Sequence, residues 1–455
     1  MELRKIINLV FLACIPLLIL GINLRLPVFL PCIILLVLRL ATSDLDTAGV
    51  FLVMFGGPVG GLIRALYPGV PIYGMMLVGI GLLLLAVRIN DLKIRSLVFT
   101  SLFIVFFALT FLYGPRSPYA VSKMVNICIN GLLYLLAFRT IFVSKGFSAG
   151  HMAQMLLLTT VAMISFSILY YGFSGPSNIF DYTWMRRDSE AFMYQLQEHP
   201  ITNYQIVGVN ALYALTFILS QKKIHIAELC YFFPVCLHLV LTSGAKQAMF
   251  GVIIIILLKA VVFSDFSRAR KWAVIGVSVL FVAGYLTILA NDKVSSAAKV
   301  INNRSDKTVV DASRGINFLA AISCIQDHPI IGAGLGGYED YISWQGDQFG
   351  KWPHNIILEL LSETGVIGLV AVIFLVCAFL RRYKIPLRRL TRGGLYYFLI
   401  PAAMICRFMA SSDLGESIVL FSAALAVSGP LRERKRPRLK LVFGTQSHKD
   451  HDICQ

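Results

Sequence analysis

Three positions in this chain are suited to acid–base or anion chemistry at a membrane surface. His354 and Asn355 stand where a long polar stretch gives way to an apolar run, directly after Trp352-Pro353. A neutral imidazole accepts a proton near pH 7, and Pro353 fixes the backbone ahead of it. The plainer reading of His354 is a polar residue at a helix start. Arg314 follows Asp311-Ala312-Ser313. Its planar guanidinium is either a fork for phosphate oxygens or an ordinary surface arginine. Lys246 sits in Thr242-Ser243-Gly244-Ala245-Lys246-Gln247, a short turn between two apolar runs. It either faces a lipid phosphate or only snorkels its amine to water.

Two carboxylates follow His354. Glu359 and Glu363 lie one helical turn apart, on one face, inside an apolar run. Charges in a membrane span are costly and mark function by default. No metal constellation is present in the sequence: His354 and Glu359 fall on different helix faces, and there is no His-Glu-x-x-His. No Gly-x-Ser-x-Gly elbow offers a serine nucleophile. Gly332-Ala333-Gly334-Leu335-Gly336-Gly337 matches the dinucleotide pattern formally, but that fingerprint needs a strand before it and a helix after it in a βαβ unit. Here the glycines read as a tight bend or a close approach to another surface.

The elements that position these residues must be membrane helices. The chain has 455 residues, 57% of them hydrophobic and only 14% charged, against about 25% charged in soluble domains. Backbone facing lipid must be helix or closed barrel, and the apolar runs lack strand alternation. The expected fold is an all-α integral membrane protein: one polytopic domain over 1–455 with about 12–14 transmembrane helices. Expected spans include 6–22, 26–40, 47–63, 124–143, 272–290 and 356–380, of which 26–40 and 47–63 are short enough to be re-entrant or misdivided. The start, Met1-Glu2-Leu3-Arg4-Lys5, imitates a signal peptide. The apolar run that follows passes Pro16 with no small-residue cleavage site before Arg25, so it reads as a retained first helix.

The net charge of +17 does not imply nucleic acid, because the basic residues sit in short clusters between apolar runs. One set of short loops collects Arg88, Lys93, Arg95, Lys145, Lys222 and Lys223, with Arg381 to Arg392 and the tail beyond Arg432. The other set holds only Arg25, Arg64, Arg116, Lys123 and Lys246. The positive-inside rule then places both termini in the cytoplasm. It makes 432–455 a basic cytoplasmic tail anchored on anionic lipid, and 291–355 and 173–203 external loops. Within 291–355, Gly315–Ile325 carries apolar residues at helical spacing, with Ser313 or Asp311 as its cap. The 173–203 loop holds Trp184, Arg186, Arg187 and His199, which suit either sugar binding or an interfacial belt. The nine cysteines show no framework spacing and read as small buried hydrophobes.

The combined pattern resembles the O-antigen ligase and O-antigen polymerase superfamily. The residues that carry the likeness are Ser313-Arg314, Asp327-His328-Pro329-Ile330-Ile331-Gly332-Ala333-Gly334, His354-Asn355-Ile356-Ile357-Leu358-Glu359 and Glu363-Thr364-Gly365-Val366-Ile367-Gly368-Leu369. The resemblance implies an inner-membrane glycosyltransferase, periplasmic-facing, metal-independent and inverting, with no cofactor. Its donor would be a glycan on undecaprenyl pyrophosphate. A polymerase passes that glycan to another lipid-linked repeat unit, with a chain-length regulator as a further partner; a ligase passes it to lipid A–core. The resemblance makes His354 the base that activates the acceptor hydroxyl and assigns Arg314 to the donor pyrophosphate. It matches Lys246 to a family arginine, so this chain keeps the charge there but loses the bidentate fork. His328, Asn355, Glu359, Arg186 and Arg187 are candidate supporting residues. A flippase or transporter is the rival class. It predicts paired broken helices and polar residues spread through the spans.

Overall fold

The computed structural model describes residues 2–24, 26, 28–66, 73–171, 175, 204–221, 226–262, 272, 276, 308–343, 352–382, 396–409 and 414–426. Every regular element among them is helical. In chain order these are α1 (Glu2–Asn23), α2 (Phe29–Thr42), α3 (Leu45–Leu66), α4 (Tyr73–Leu85, continued by a 3₁₀ turn over Ala86–Asp91), α5 (Ile94–Tyr113), α6 (Pro118–Val143) and α7 (Ala149–Tyr171). There follow α8 (Tyr204–Leu219), α9 (Ile226–Ser243), α10 (Lys246–Leu257), α11 (Thr308–Asp327), α12 (Gly337–Ser343), α13 (Ile356–Arg382), α14 (Tyr396–Phe408) and α15 (Leu414–Ala426). Six of the described helices are long and apolar enough to cross a membrane. The chain is an all-α polytopic membrane protein. The expected span 272–290 lies outside the described residues apart from two isolated positions.

Burial sorts these helices into centre and periphery. The span Ala149–Tyr170 is 89% buried inside the protein, whereas Tyr73–Asp91 is 11% buried. A helix that is apolar all round is a core helix when protein surrounds it and a lipid-facing one when it does not. So α7 is the hub, packed on α2, α8, α1 and α3, while α4 and α5 turn Met75, Leu83, Val98 and Leu109 outward. The run 47–63 is a full helix, α3, paired along its length with α4. Their close approach runs through glycine: a β-carbon on Gly60 would stand 2.3 Å from Gly74.

Two ends of the bundle are chemically distinct. At one end Arg88 pairs with Asp46 at 2.7 Å, and Ser144 donates to the same carboxylate. At the other end, a 26-residue α6 away (about 39 Å at 1.5 Å per residue), stand the starts of α6, α8, α10 and α13.

The run 356–380 is one helix in the sequence reading and a broken one in the structure. Gly365 has φ 64 and ψ −170 inside α13, within the candidate span Ile356–Leu375. A break at that depth strands backbone groups that lipid cannot satisfy. The stretch Pro329–Gly334 satisfies them. Ala333 N–H donates to Ser362 C=O at 2.8 Å and Gly334 N–H to Glu363 C=O at 2.9 Å, while Val366 N–H and Ile367 N–H donate to the carbonyls of Pro329 and Ile330 at 3.0 and 3.1 Å. The glycines are required by contact. A β-carbon on Gly332, at φ +71, would lie 2.3 Å from the Glu363 carbonyl carbon, and one on Gly334 would lie 2.3 Å from the Gly114 α-carbon. The Gly-rich motif is therefore a backbone brace for a broken membrane helix, in line with the close-approach reading. Gly332→Ala is expected to destabilise the protein by at least about 1–3 kcal/mol, the cost of one strained backbone position. Thermal unfolding of the purified protein in detergent would show it, and a variant melting with the wild type would contradict the brace.

Three further expectations need correction. Lys123 is not in an outward loop: α6 begins at Pro118, capped by Ser117 Oγ accepting from Ala120 N–H at 3.2 Å, so Lys123 is inside the helix and buried. Ser313 and Asp311 do not cap the loop helix, because α11 starts earlier, at Thr308. Of the cysteines, Cys32, Cys236 and Cys324 are buried, but Cys230 and Cys377 are exposed on the outside of the bundle.

Candidate active site

His354 occupies a conformation that the chain has to be forced into. Its φ is +57, and among the described residues no other non-glycine has positive φ. Histidine tolerates the left-handed region better than branched residues do, yet such positions persist only where the surroundings hold them and they cluster at functional sites. Two neighbours hold this one. Pro353 precedes it, and Asn355 caps α13: Asn355 Oδ1 accepts from Ile357 N–H at 2.9 Å and Leu358 N–H at 3.2 Å. Asn355 is thus accounted for as a helix cap.

The imidazole itself is oriented by Trp352, whose indole Nε1–H donates to His354 Nδ1 at 3.1 Å. An indole nitrogen only donates, so Nδ1 carries the lone pair and the neutral ring carries its hydrogen on Nε2. Nδ1 is the basic atom of this side chain. Trp352 in turn stacks on Tyr119, with ring centroids 6.5 Å apart and planes at 14°. The ammonium of Lys123 lies 5.2 Å over the Tyr119 ring, within cation–π range.

Lys123 ties this aromatic pair to the two carboxylates. Its Nζ donates to Glu359 Oε1 and to Glu363 Oε1 at 2.7 Å. The Lys123, Glu359 and Glu363 side chains are buried, and Glu359 Oε1 also accepts from Leu414 N–H at 2.9 Å, at the start of α15. The placement of both acids on one helix face was legible; their partner was not. The cluster pins α6, α13 and α15 together, with Glu359 in the first turn of α13 and Glu363 in the next.

The other predicted residues are placed as follows. Lys246 is exposed and is the first residue of α10. The next residue, Gln247, lines a cavity of about 540 Å³ that Trp352 also lines, so the α10 start and the His354 turn flank one opening. Arg314 lies in the second turn of α11, whose C-terminal half packs on α13 through Cys324 and the Ala320–Ala321–Tyr338 cluster; its side chain lies outside the described set. His328 is exposed at the end of α11, and its described ring neighbour is Tyr341, at 6.4 Å and edge-on. The Tyr341 hydroxyl donates to Asp327 Oδ2 at 2.5 Å. That hydrogen bond to the carboxylate, then burial, pushes the phenol up to about 12. This pair ties the end of α11 to α12 across the glycine brace. Arg186 and Arg187 lie outside the described residues.

Residues 231–373 match the family model described as O-antigen ligase. This segment belongs to the O-antigen ligase/polymerase superfamily. No curated protein matches the chain. The superfamily segment holds Lys246, Arg314, the glycine brace, His354 and both glutamates, so the residues that carried the resemblance all fall within it. Lys123, Tyr119 and Arg407 fall outside it yet build the same end of the bundle. Tyr119 and Lys123 had a sequence signal: Tyr119, Lys123, Asn126, Asn130 and Tyr134 recur at helical spacing along one face of α6.

Proposed function

We propose that this superfamily member is a periplasmic-facing glycosyltransferase that polymerises lipid-linked repeat units into a surface polysaccharide. The observation that carries the reading is His354, held in a left-handed turn and bonded to Trp352, which lines the cavity, inside the superfamily segment. In the proposed reaction an acceptor sugar hydroxyl displaces the Trp352 indole from His354 Nδ1. Its oxygen attacks the anomeric carbon of the donor glycan while its proton passes to Nδ1. The bond from that carbon to the pyrophosphate breaks, and undecaprenyl pyrophosphate leaves with the electron pair. Pyrophosphate leaves readily when fixed cations meet its new charge in a site poor in water. Arg314 and Lys246 are the cations of the segment assigned to that task. The reaction needs no metal, because the base and the cations are side chains.

The bias of basic residues toward the Arg88 end supports a cytoplasmic position for that end and a periplasmic one for His354. Labelling single cysteines with an impermeant reagent tests this. D347C in a cysteine-free background should label in cells with an intact inner membrane; labelling only after that membrane is opened would invert the topology.

The surface glycan profile of a deletion strain tests the polymerase reading. A single repeat unit on lipid A–core is expected. Lipid-linked polymer accumulating beside bare lipid A–core would instead identify a ligase, the reading that the matched description favours. Arg314→Lys is expected to lose more activity than its retained charge suggests, because an ammonium cannot make the bidentate contact. Arg314→Ala at full activity would remove Arg314 from the site.

A further inference from the structure

The end of the bundle below Trp352 contains the cavity of about 540 Å³, within the range of ligand sites. Its lining is unusual for a membrane interior. Asn126 and Asn130 from α6, Asn210 from α8, Gln247 from α10 and Arg407 from α14 bring amides and a guanidinium into one space, with Trp352 at the rim. From Asn126 to Tyr134 the lining extends along α6 for about 12 Å. Amides here are costly unless something accepts and donates hydrogen bonds. One of them has an unmet need: Asn210 is 5% exposed, and its Nδ2, a buried donor, has no hydrogen-bond partner among the described residues.

Asn126 and Asn130 share their α6 face with Lys123, which is engaged by Glu359 and Glu363. Amides that donate and accept suit vicinal hydroxyls, an indole suits the apolar face of a pyranose, and a guanidinium suits phosphate oxygens.

We propose that this cavity binds the phosphate-proximal sugar of the membrane-embedded glycolipid, with Asn130, Asn210 and Gln247 on its hydroxyls, Trp352 on its face and Arg407 toward its phosphate. The inference rests on the glycosyltransferase reading and extends it, since it places sugar recognition inside the bundle and beside His354 Nδ1. It makes α6, α8 and α14 specificity elements, although α6 and α8 lie outside the matched segment and α14 lies beyond it.

The test is binding by full-length protein in nanodiscs of two probes: the glycolipid that a deletion strain accumulates, and bare undecaprenyl pyrophosphate. Asn210→Leu preserves size and removes the amide; Asn210→Ser restores a small polar group. We expect Asn210→Leu to weaken glycolipid binding at least about tenfold, the scale of one or two hydrogen bonds to a buried polar group. Binding of the bare lipid should stay unchanged, and Asn210→Ser should recover part of the loss. Equal loss for both probes would assign the cavity to pyrophosphate and overturn the sugar assignment. Unchanged glycolipid binding in a folded Asn210→Leu protein would overturn it outright. Wild-type protein that binds neither probe would instead remove the glycosyltransferase reading beneath it. If Asn210→Leu melts early, Gln247→Leu in the cavity lining carries the same comparison.

Discussion

His354→Ala is expected to lower the rate of glycan transfer by about 10²–10⁴, the usual cost of removing a general base, while the protein still inserts and still binds its lipid-linked donor. The geometry separates these effects. The His354 side chain is held from one side by the Trp352 indole, and the α13 start is capped by Asn355 rather than by the imidazole. Deleting the ring therefore leaves the helix start and the glycine brace in place. It does not relieve the strained backbone, since alanine at φ +57 is no easier than histidine. Polymer length on a gel, from purified protein and lipid-linked repeat units, reads the rate, and thermal unfolding reads the fold. Transfer near the wild-type rate would reduce His354 to a helix-start residue. A chelator such as EDTA should leave the wild-type rate unchanged.

Lys123→Met is expected to destabilise the protein by about 3–5 kcal/mol, the typical cost of removing one partner from a buried ion pair. Two carboxylates would remain facing each other in a membrane-embedded core with the ammonium gone. The loss should be largely reversed in the triple variant Lys123→Met, Glu359→Gln, Glu363→Gln. That variant buries no charge, and apolar or neutral replacements of buried ion clusters are often no less stable than the originals. Thermal unfolding in detergent distinguishes the two outcomes. A Lys123→Met protein that melts with the wild type would mean that the cluster does not hold α6, α13 and α15 together. The same variant removes the cation beneath Tyr119. Trp352, stacked on Tyr119, should then hold His354 less firmly, so reduced transfer in the stability-restored triple variant would mark Lys123 as a positioning residue.

The sequence and the structure agree where one residue's chemistry sufficed and diverge where partners were needed. Hydropathy alone identified an all-helical membrane protein, and the i, i+4 spacing of Glu359 and Glu363 put both acids on one face. The glycines after His328 were legible as a tight bend or a close approach, and both hold: Gly332, Gly334 and Gly336 have positive φ, and Gly332 and Gly334 abut neighbouring backbone. What they approach was not legible. The break at Gly365 is invisible in an unbroken apolar run, since a glycine at φ +64 and a helical glycine have the same composition. Lys123 was misread for a related reason. A lysine just after Ser117-Pro118 looks like a loop cation until its two carboxylates, distant in sequence, are brought to it. The amides of the cavity were missed because asparagines scattered through separate helices barely shift hydropathy; only the stripe on α6 could have shown them. The broken helix and the buried polar groups are features the transporter class also predicts, but here the break is braced by a loop of the same chain and the polar groups converge on the His354 turn.

The most direct test of the account is turnover by the purified wild-type chain. Reconstituted in liposomes without metal, it would be given the glycolipid that a deletion strain accumulates, and both the glycan ladder and free undecaprenyl pyrophosphate would be followed. The account predicts a ladder of joined repeat units with about one pyrophosphate lipid released per bond formed, the stoichiometry of direct transfer from a pyrophosphate donor. Glycolipid that stays at its starting length, with no pyrophosphate lipid released, would contradict it.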